Sequence, residues 1–389
     1  MGVYANTVSI TQYAVTGEVP ETDPFQWFSE KLTSRGFESI ENSTEESAEG
    51  WTLVDKPDDA AFDSPSDFWR DNFVVFSLRK DQRKIPAAVL KSHTAREEGV
   101  FLALNANLRR APKHKREEIK EQVQMRLMTR CLPVPSSVDI VWDRKNGVLT
   151  LFSLGTKVLE RFEDLFRKTF EGFSPVIIHP FARARMLLEG QLLDSLEKAN
   201  QAGSDAVLTL IRDNQWLGWE FMLWLLQRGV NGEGEFSVQC PGHLTIGEKF
   251  SAWIDDRIQF QGGGEEGGIQ KVTVSGSQDS YLEAISALKG GKRITSATIC
   301  MEKDENPWKL TLKGDTFGFA SFKCPQVRVE KDSTVDQMSE REAVFYERMF
   351  LMEQGIQLFD SLFTAFLNER LTDAWTGRLQ AIQAWLDGE

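Results

Sequence analysis

The sequence feature that most restricts the fold is the pair Asn146-Gly147, which stands between two alternating apolar runs. The runs are VDIVW at residues 138–142 and VLTLF at residues 148–152. An Asn-Gly pair between such runs is the strongest short-range signal for a β-hairpin, because the tight hairpin turn needs residues that tolerate positive φ. The pair therefore predicts an antiparallel sheet in this part of the chain.

Strand and helix patterns follow one another along the rest of the chain, and together they predict an α+β fold of antiparallel sheets packed with helices. Before the hairpin we predict strands at 8–15, 51–54 and 72–78, a helix at 24–35, and helices that begin at Pro86 and Pro112, the second ended by Pro133 and Pro135. After it we predict a helix at 156–170, a helical stretch at 181–230, short strands from 234 to 322 with a helix at 280–288, and a long amphipathic helix at 340–371.

The length of 389 residues is enough for two or three domains. In sequence order we predict an N-terminal α+β module at 1–180, a helical connector at 181–230, a strand-rich module at 231–335 and a C-terminal helical segment at 336–389. The first module contains a basic segment at 79–147.

Composition favours a soluble globular protein, with 41% hydrophobic and 26% charged residues. No apolar run reaches the roughly 18 residues of a membrane span, so no membrane association is expected. The first residues do not resemble a signal peptide, and the four cysteines are widely spaced. We therefore expect a cytoplasmic protein with free thiols.

Charge is distributed very unevenly along the chain. Residues 79–145 contain 16 Lys and Arg against 8 Asp and Glu, a net charge of +8, whereas the whole chain carries −13. The remaining residues therefore carry −21. A basic segment in an acidic protein indicates a binding site for a polyanion.

Bases at the start and in the middle of this segment are the predicted nucleic-acid contacts. A binder that follows the backbone of duplex DNA without sequence preference fits best, because aromatic residues do not alternate with the bases and no base-reading helix is recognisable. The alternative is a solvated helix face on which Lys113 pairs with Glu117 and Glu117 with Lys120. The predicted phosphate contacts are Arg79, Lys80, Lys84, Arg109, Arg110, Lys113, Lys115, Arg116 and Lys120.

Two functions of other classes remain open. A metal-dependent nuclease would need carboxylates around Mg²⁺, for which Asp255-Asp256 and Glu302-Lys303 are the candidates. A protein–protein interaction module would bind no DNA. No cofactor is expected.

A zinc site is a weaker candidate. Cys240 and His243 form a single C-x2-H pair, and Cys300 and Cys324 would complete four ligands. A structural zinc site usually has a second close pair of ligands, which this sequence lacks.

Two aromatic stripes, at 216–226 and 345–366, have helical spacing. Such stripes are typical of a core or a subunit interface.

The order of motifs resembles the RdgC family of recombination-associated proteins. The likeness runs from about residue 50 to 180 and continues colinearly over 258–322. The residues that carry it are Gly50-Trp51, Arg79-Lys80, Lys84-Ile85-Pro86, Val89-Leu90-Lys91, Lys120, Leu127-Met128-Thr129-Arg130, Trp142-Asp143-Arg144-Lys145-Asn146-Gly147, Lys157 and Arg257-Ile258-Gln259-Phe260.

The resemblance implies a homodimer that closes into a ring around duplex DNA and limits the access of the RecA recombinase. It also implies a protein associated with the nucleoid. The family's inner-surface bases fall on Arg109, with Lys113, Lys115 and Lys120 nearby. Its basic pair in the second half is represented by Lys271, and a phenylalanine at its dimer contact falls on Leu132. Leu132 and the C-terminal helix are thus the predicted interface elements.

Overall fold

The computed structural model describes residues 2–43, 45–105, 107–264, 267–276, 281–327 and 337–388. Its strands are β1 (Thr7–Thr16), β2 (Ser47–Thr52), β3 (Trp69–Arg70), β4 (Phe73–Arg83), β5 (Pro133–Asp143), β6 (Val148–Leu151), β7 (Ser174–Ile177), β8 (Glu235–Ser237), β9 (Lys249–Gly264), β10 (Gly267–Ser275), β11 (Arg293–Lys303), β12 (Asn306–Lys313) and β13 (Phe319–Lys323). Its helices are α1 (Pro24–Thr33), α2 (Pro65–Phe68), α3 (Ala87–Leu104), α4 (Lys113–Met128), α5 (Thr156–Thr169), α6 (Pro180–Leu187), α7 (Gly190–Ala199), α8 (Val207–Asp213), α9 (Trp216–Val230), α10 (Leu282–Lys289), α11 (Gln337–Arg370) and α12 (Ala374–Asp387).

The chain forms two compact units, each built from separate stretches of sequence. Unit 1 comprises Met1–Gly17, Lys145–Glu163 and Phe173–Glu389, and unit 2 comprises Glu18–Arg144 and Asp164–Gly172. The units therefore cut across the four consecutive segments predicted from the sequence. One physical reason is long-range strand pairing: β1 pairs with β13, more than 300 residues later in the chain.

Unit 1 is built on an antiparallel sheet in the order β10-β9-β11-β12-β13-β1-β6, with β7 paired to β1 and β8 to β9. Its strands alternate between apolar and polar side chains. In β12, for example, Trp308, Leu310 and Leu312 are buried, while Lys309, Thr311 and Lys313 are partly exposed. The predicted antiparallel α+β class is therefore confirmed.

The aromatic stripes of α9 and α11 form the core of unit 1. Phe221 of α9 lies 5.3 Å from Phe363 and 5.6 Å from Phe366 of α11 between ring centroids. The Trp308 indole donates to the carbonyl oxygen of Leu351 at 2.8 Å. The apolar side of α11 is thus packed into the protein's own core, and the prediction that this C-terminal helix is a dimer interface is wrong for these side chains.

Unit 2 contains the strands β2, β4 and β5 in that order, with β3 paired to β4. The Gly50-Trp51 pair on β2 has a packing role. A Cβ at Gly50 would lie 2.5 Å from the Cα of Phe37, so only glycine fits there. Trp51 is fully buried, and its indole donates to Thr169 at 2.8 Å. In the same unit, Phe28, Trp142, Phe166 and Phe170 pack edge-to-face or tilted with centroids 4.8–5.8 Å apart.

Two strands of unit 2 are longer than the apolar pattern predicts. β4 continues through the basic run to Arg83, and β5 begins at Pro133 because the two strands pair along their whole length, from Phe73↔Asp143 to Arg83↔Pro133. The prolines that end helix α4 therefore also begin a strand. No helix in the described part of the chain is long and apolar enough to cross a membrane.

Candidate nucleic-acid interface

The basic residues of unit 2 are concentrated on a helix pair, which we define as α3 and α4 with their flanking residues, 84–130. Ile119, Val123 and Leu127 are buried along one side of α4, at helical spacing. Ile85, Leu90 and Phe101 pack against them. This narrow apolar stripe holds the two helices together and leaves their other faces to solvent.

Most bases of the helix pair are exposed. Arg109 and Arg110 lie in the connector between α3 and α4, and Lys113 and Lys120 lie on the first two turns of α4. Lys113, Arg116 and Lys120 are spaced i, i+3, i+7, so they share one side of the helix. Within the described residues these side chains have no ion-pair partner, and the alternative pairs Lys113–Glu117 and Glu117–Lys120 are not formed. Three further exposed bases were not among the predicted contacts: Lys91, Arg96 and Arg130.

Two bases of the helix pair are held by carboxylates. Lys115 donates to Glu118 at 2.8 Å and lies 5.7 Å from the Phe101 ring centroid. Arg126 of α4 donates to Glu97 of α3 at 2.7 Å. The hydrogen bonds from Lys115 and Arg126 lower the pKa of Glu118 and Glu97, respectively, below the ordinary glutamate value. Lys115 is therefore a less available phosphate contact than Lys113.

Arg79 requires a correction, because its side chain is buried and fully engaged inside the protein. Its Nε donates to Asp81 at 2.8 Å and its Nη2 to the same carboxylate at 3.0 Å. Asp58 and the carbonyl oxygen of Pro57 accept from Nη1. The hydrogen bond to Asp81 raises the pKa of Arg79 above the ordinary arginine value. The side chain faces its own carboxylates and is not available to a phosphate.

Arg83, at the end of β4, is buried in the same way. Its Nη2 donates to the carbonyl oxygens of Ile40, Glu41 and Ser43 at 2.6, 3.1 and 3.2 Å. The carbonyl oxygen of Cys131 accepts from Nη1. Arg83 thus ties a loop of unit 2 to the segment that follows α4.

Lys80 and Lys84 point away from this buried side. Side chains alternate along β4, so Lys80 lies on the opposite face of the sheet from Arg79. Lys80 is half-buried there, and its neighbours on the adjacent strands are Glu49 of β2 and Ser136 of β5. Lys84 follows the end of the strand and is exposed. Of the predicted bases near β4, only these two remain open to a ligand among the described residues.

Lys271 lies in unit 1, on the polar face of its sheet. It is exposed on β10, opposite Gln261 of β9. The same face carries Arg257, Lys309 and Lys323, with Lys309 paired to Asp255. Sequence reasoning missed these bases, although alternation in stretches such as Lys309-Leu310-Thr311-Leu312-Lys313 is a signal that finds them.

Leu132 has 78% of its surface exposed, directly after α4. Other apolar side chains of the helix pair are exposed as well, including Leu104 at 80% and Met125 at 66%. No side chain of α3 is fully buried. Unit 2 therefore presents apolar surface close in sequence to its bases.

The residues considered for metal chemistry are dispersed. Asp255 binds Lys309, Lys303 binds Glu248 at 3.1 Å, and His243 contacts Glu353 at 2.6 Å. Cys240 is buried against Thr364, with 3.4 Å between Sγ and Oγ1. In the ranges that the structure describes, no three histidine, cysteine or acidic side chains are grouped as a metal site. The side chain of Asp256 lies outside what is described.

Comparison with known proteins gives one family. The family model described as "RdgC: Putative exonuclease, RdgC" matches residues 9–213. This range includes the whole helix pair and ends before Lys271. No curated protein matches the chain.

Proposed function

The chain belongs to the RdgC family of recombination-associated proteins, and from this premise we propose that it binds double-stranded DNA without sequence preference. The observation that carries the proposal is the set of exposed, unpaired bases on the helix pair. An acidic protein of net charge −13 repels DNA over most of its surface, so a local cluster of free cations determines where a duplex approaches.

The proposed mechanism is neutralisation of phosphates. Each phosphate neutralised on a duplex releases condensed counterions, which lowers the logarithm of affinity by roughly 0.9 per tenfold rise in salt. Flexible lysine and arginine side chains on two helices can follow a sugar–phosphate backbone without contacting base edges. The proposed contacts are Lys84, Lys91, Arg109, Arg110, Lys113, Arg116 and Lys120, with Lys80 and Lys115 as weaker ones and Lys271 on unit 1.

We also propose a homodimer, in which Leu132 lies at an isologous contact. Its exposure of 78%, together with that of Leu104 and Met125, supports an apolar surface that a second copy would cover. A ring formed by two copies would hold duplex DNA kinetically, since DNA could leave only when an interface opens. Bound in this way, the protein would limit the access of RecA to DNA.

The test is a titration of a fluorescent duplex of about 30 base pairs at several salt concentrations, with the mass of the protein measured in solution. Arg109→Glu with Lys113→Glu should weaken binding and reduce the salt slope by about 1.8, since each neutralised phosphate contributes roughly 0.9. Arg35→Glu with Lys198→Glu reverses two exposed cations elsewhere and should leave the slope within error of the parent. Equal slopes for all three proteins would overturn the assignment to the helix pair.

The proposed activity is binding without cleavage, although the description of the family contains the word exonuclease. Incubating the protein with linear and supercoiled DNA and Mg²⁺ separates the two functions. Intact DNA supports the binding function. Cleavage that disappears in Asp255→Ala would favour a nuclease instead, whereas absence of any complex at low salt would favour a protein-interaction module.

A further inference from the structure

We propose that a cleft in unit 1 binds a nucleoside phosphate, a ligand with both a planar base and a phosphate group. The cleft has a volume of about 660 Å³ and is formed by β9, β10, β11 and the beginning of α9. This volume falls within the range of ordinary small-molecule sites. The cleft belongs to unit 1 and its lining residues follow the family match in the sequence, so the inference goes beyond duplex binding at the helix pair.

The floor of the cleft is built from two rows of side chains across the sheet. Lys271, Gln261 and Arg293 are direct neighbours on β10, β9 and β11. In the next row, Ser296 lies opposite Gln259 of β9 and Lys313 of β12. Directly opposed residues of antiparallel strands point to the same face, so the two rows present their polar groups together.

A bulge in β11 adjusts this floor. The register moves by one residue between Ile294 and Ser296, which makes Thr295 the additional residue. Its hydroxyl donates to the carbonyl oxygen of Gln259 at 3.4 Å. The bulge keeps Arg293 and Ser296 on one face although they are three residues apart, and bulges of this kind often redirect side chains beside functional sites.

The charge of the cleft suits a phosphate. Lys271, Arg293 and Lys313 line it, and among the described residues none of them has an ion-pair partner. Asp315 is the acidic side chain in the described lining, and its Oδ1 accepts from the Thr316 amide at 2.9 Å. An arginine and two lysines that converge on one cavity provide charge-assisted donors for phosphate oxygens.

Ser296 supplies an independent indication of a ligand. The residue is only 3% exposed and lines the cleft, and its Oγ has no hydrogen-bond partner within the described residues. Buried hydroxyl groups are normally satisfied, because desolvation without a partner costs about 1–3 kcal/mol. The Oγ is enclosed in this structure, so a change of the Ser296 rotamer toward the cleft would let a phosphate oxygen accept from this hydroxyl.

A wall of the cleft suits a planar base. Trp219 of α9 is half-buried, and the Arg293 guanidinium lies 4.4 Å from its ring centroid. Helix α9 lies close to the backbone at Gly314 because residue 218 is glycine: a Cβ there would lie 1.9 Å from the carbonyl oxygen of Gly314. Bases stack on tryptophan rings and on guanidinium planes, and the amides of Gln215 and Gln261 can donate to and accept from a base edge.

Isothermal titration calorimetry on the full chain tests this site with deoxyadenosine monophosphate, deoxyadenosine and inorganic phosphate. The monophosphate should bind at least tenfold more tightly than either part alone. Arg293→Ala with Lys313→Ala should weaken it by about ten- to a hundredfold, as expected for the removal of hydrogen bonds to a charged group. Ser296→Ala, which removes only the hydroxyl, should weaken it by about fivefold.

Two controls separate this site from the duplex site. Lys198→Ala, an exposed cation of unit 1, and Arg109→Glu with Lys113→Glu should both leave monophosphate binding unchanged. Absence of binding, equal binding by Arg293→Ala/Lys313→Ala, or phosphate alone binding as tightly as the monophosphate would overturn the proposal. Unfolding midpoints of all variants show whether a loss of binding reflects a loss of structure.

Two kinds of molecule carry both a base and a phosphate group: a free nucleotide and the phosphorylated end of a DNA strand. Competition with a single-stranded decamer that carries a 5′-phosphate, and not with the same decamer lacking it, assigns the cleft to strand ends. If neither decamer competes with the bound monophosphate, we infer that the cleft binds the free nucleotide.

Discussion

The end of β4 and the helix pair carry the same residue types, about 30 residues apart, with opposite environments. Arg79 and Arg83 on β4 are 8% and 5% exposed and donate to carboxylates and carbonyl groups of their own unit. Arg109, Lys113 and Lys120 on the helix pair are exposed, and in the described part of the chain no carboxylate pairs with them. One basic segment therefore has a structural part and a part available to a ligand.

The difference follows from the geometry of the two elements. β4 is paired on both sides, by β2 and by β5, so every second side chain turns into a buried face where an arginine needs a complete set of acceptors. The helix pair buries one narrow stripe, and 3.6 residues per turn distribute its remaining side chains around solvent-facing sides. Net charge along the sequence does not distinguish these situations, whereas strand alternation does.

The largest effect is expected from truncating a buried arginine. Arg83→Ala should lower the free energy of unfolding by about 3–5 kcal/mol, because it leaves several buried carbonyl groups without donors. Arg109→Ala should change it by less than about 0.5 kcal/mol, as is usual for exposed positions. Urea denaturation followed by circular dichroism measures both, and equal destabilisation by the two variants would remove the distinction between the regions.

The next effect concerns the salt dependence of duplex binding. Arg109→Ala, Arg110→Ala, Lys113→Ala and Lys120→Ala combined should reduce the salt slope by about 3.6, since each phosphate that these cations neutralise contributes roughly 0.9. Arg79→Gln should leave the slope unchanged, because that side chain is committed to Asp81 and Asp58. Anisotropy titrations at four salt concentrations give the slopes. A reduced slope in folded Arg79→Gln would place the Arg79 side chain at the DNA.

A smaller difference is expected within α4 itself. Lys113→Ala should reduce the salt slope by about 0.9, whereas Lys115→Ala should reduce it by less than about half as much, because Glu118 already neutralises Lys115. Lys115→Ala combined with Glu118→Ala is the matched control, since the pair is removed without changing the net charge. If the two single variants have equal slopes, the Lys115–Glu118 pair does not survive in the complex.

The smallest effect is a dependence of helix packing on pH. The hydrogen bond from Arg126 holds the pKa of Glu97 below its ordinary value, so the folded form of this carboxyl binds a proton less readily than the unfolded form. The contribution of the Glu97–Arg126 pair to stability is therefore complete above the unfolded-state pKa of about 4.3. It is lost as pH falls through the lower pKa of Glu97 in the folded state. Amide exchange of α3 should increase slightly below about pH 4, and Glu97→Gln should abolish that change. If the amide exchange of α3 still increases below about pH 4 in Glu97→Gln, other carboxyl groups are responsible for the increase.

Much of the fold follows from local sequence signals. Asn146-Gly147 lies between strands β5 and β6, with Gly147 at φ +64°, and Thr156–Thr169 is helical as the spacing of its apolar residues predicts. What local signals miss is pairing between distant segments, such as β1 with β13. For the candidate site, the exposed bases of α4 are predictable from helical spacing. The buried state of Arg79 depends on Asp58 and Asp81 meeting it in three dimensions, which charge counting does not reveal.

The central claim is that the exposed bases of the helix pair, and not the buried arginines Arg79 and Arg83 of β4, meet the duplex. Lysine acetylation of the full chain, with and without duplex DNA and followed by mass spectrometry, tests it most directly. We expect DNA to protect Lys84, Lys91, Lys113 and Lys120 at least severalfold, with Lys198 and Lys249 reacting equally in both states. Equal reactivity of the four helix-pair lysines with and without saturating DNA would contradict the claim.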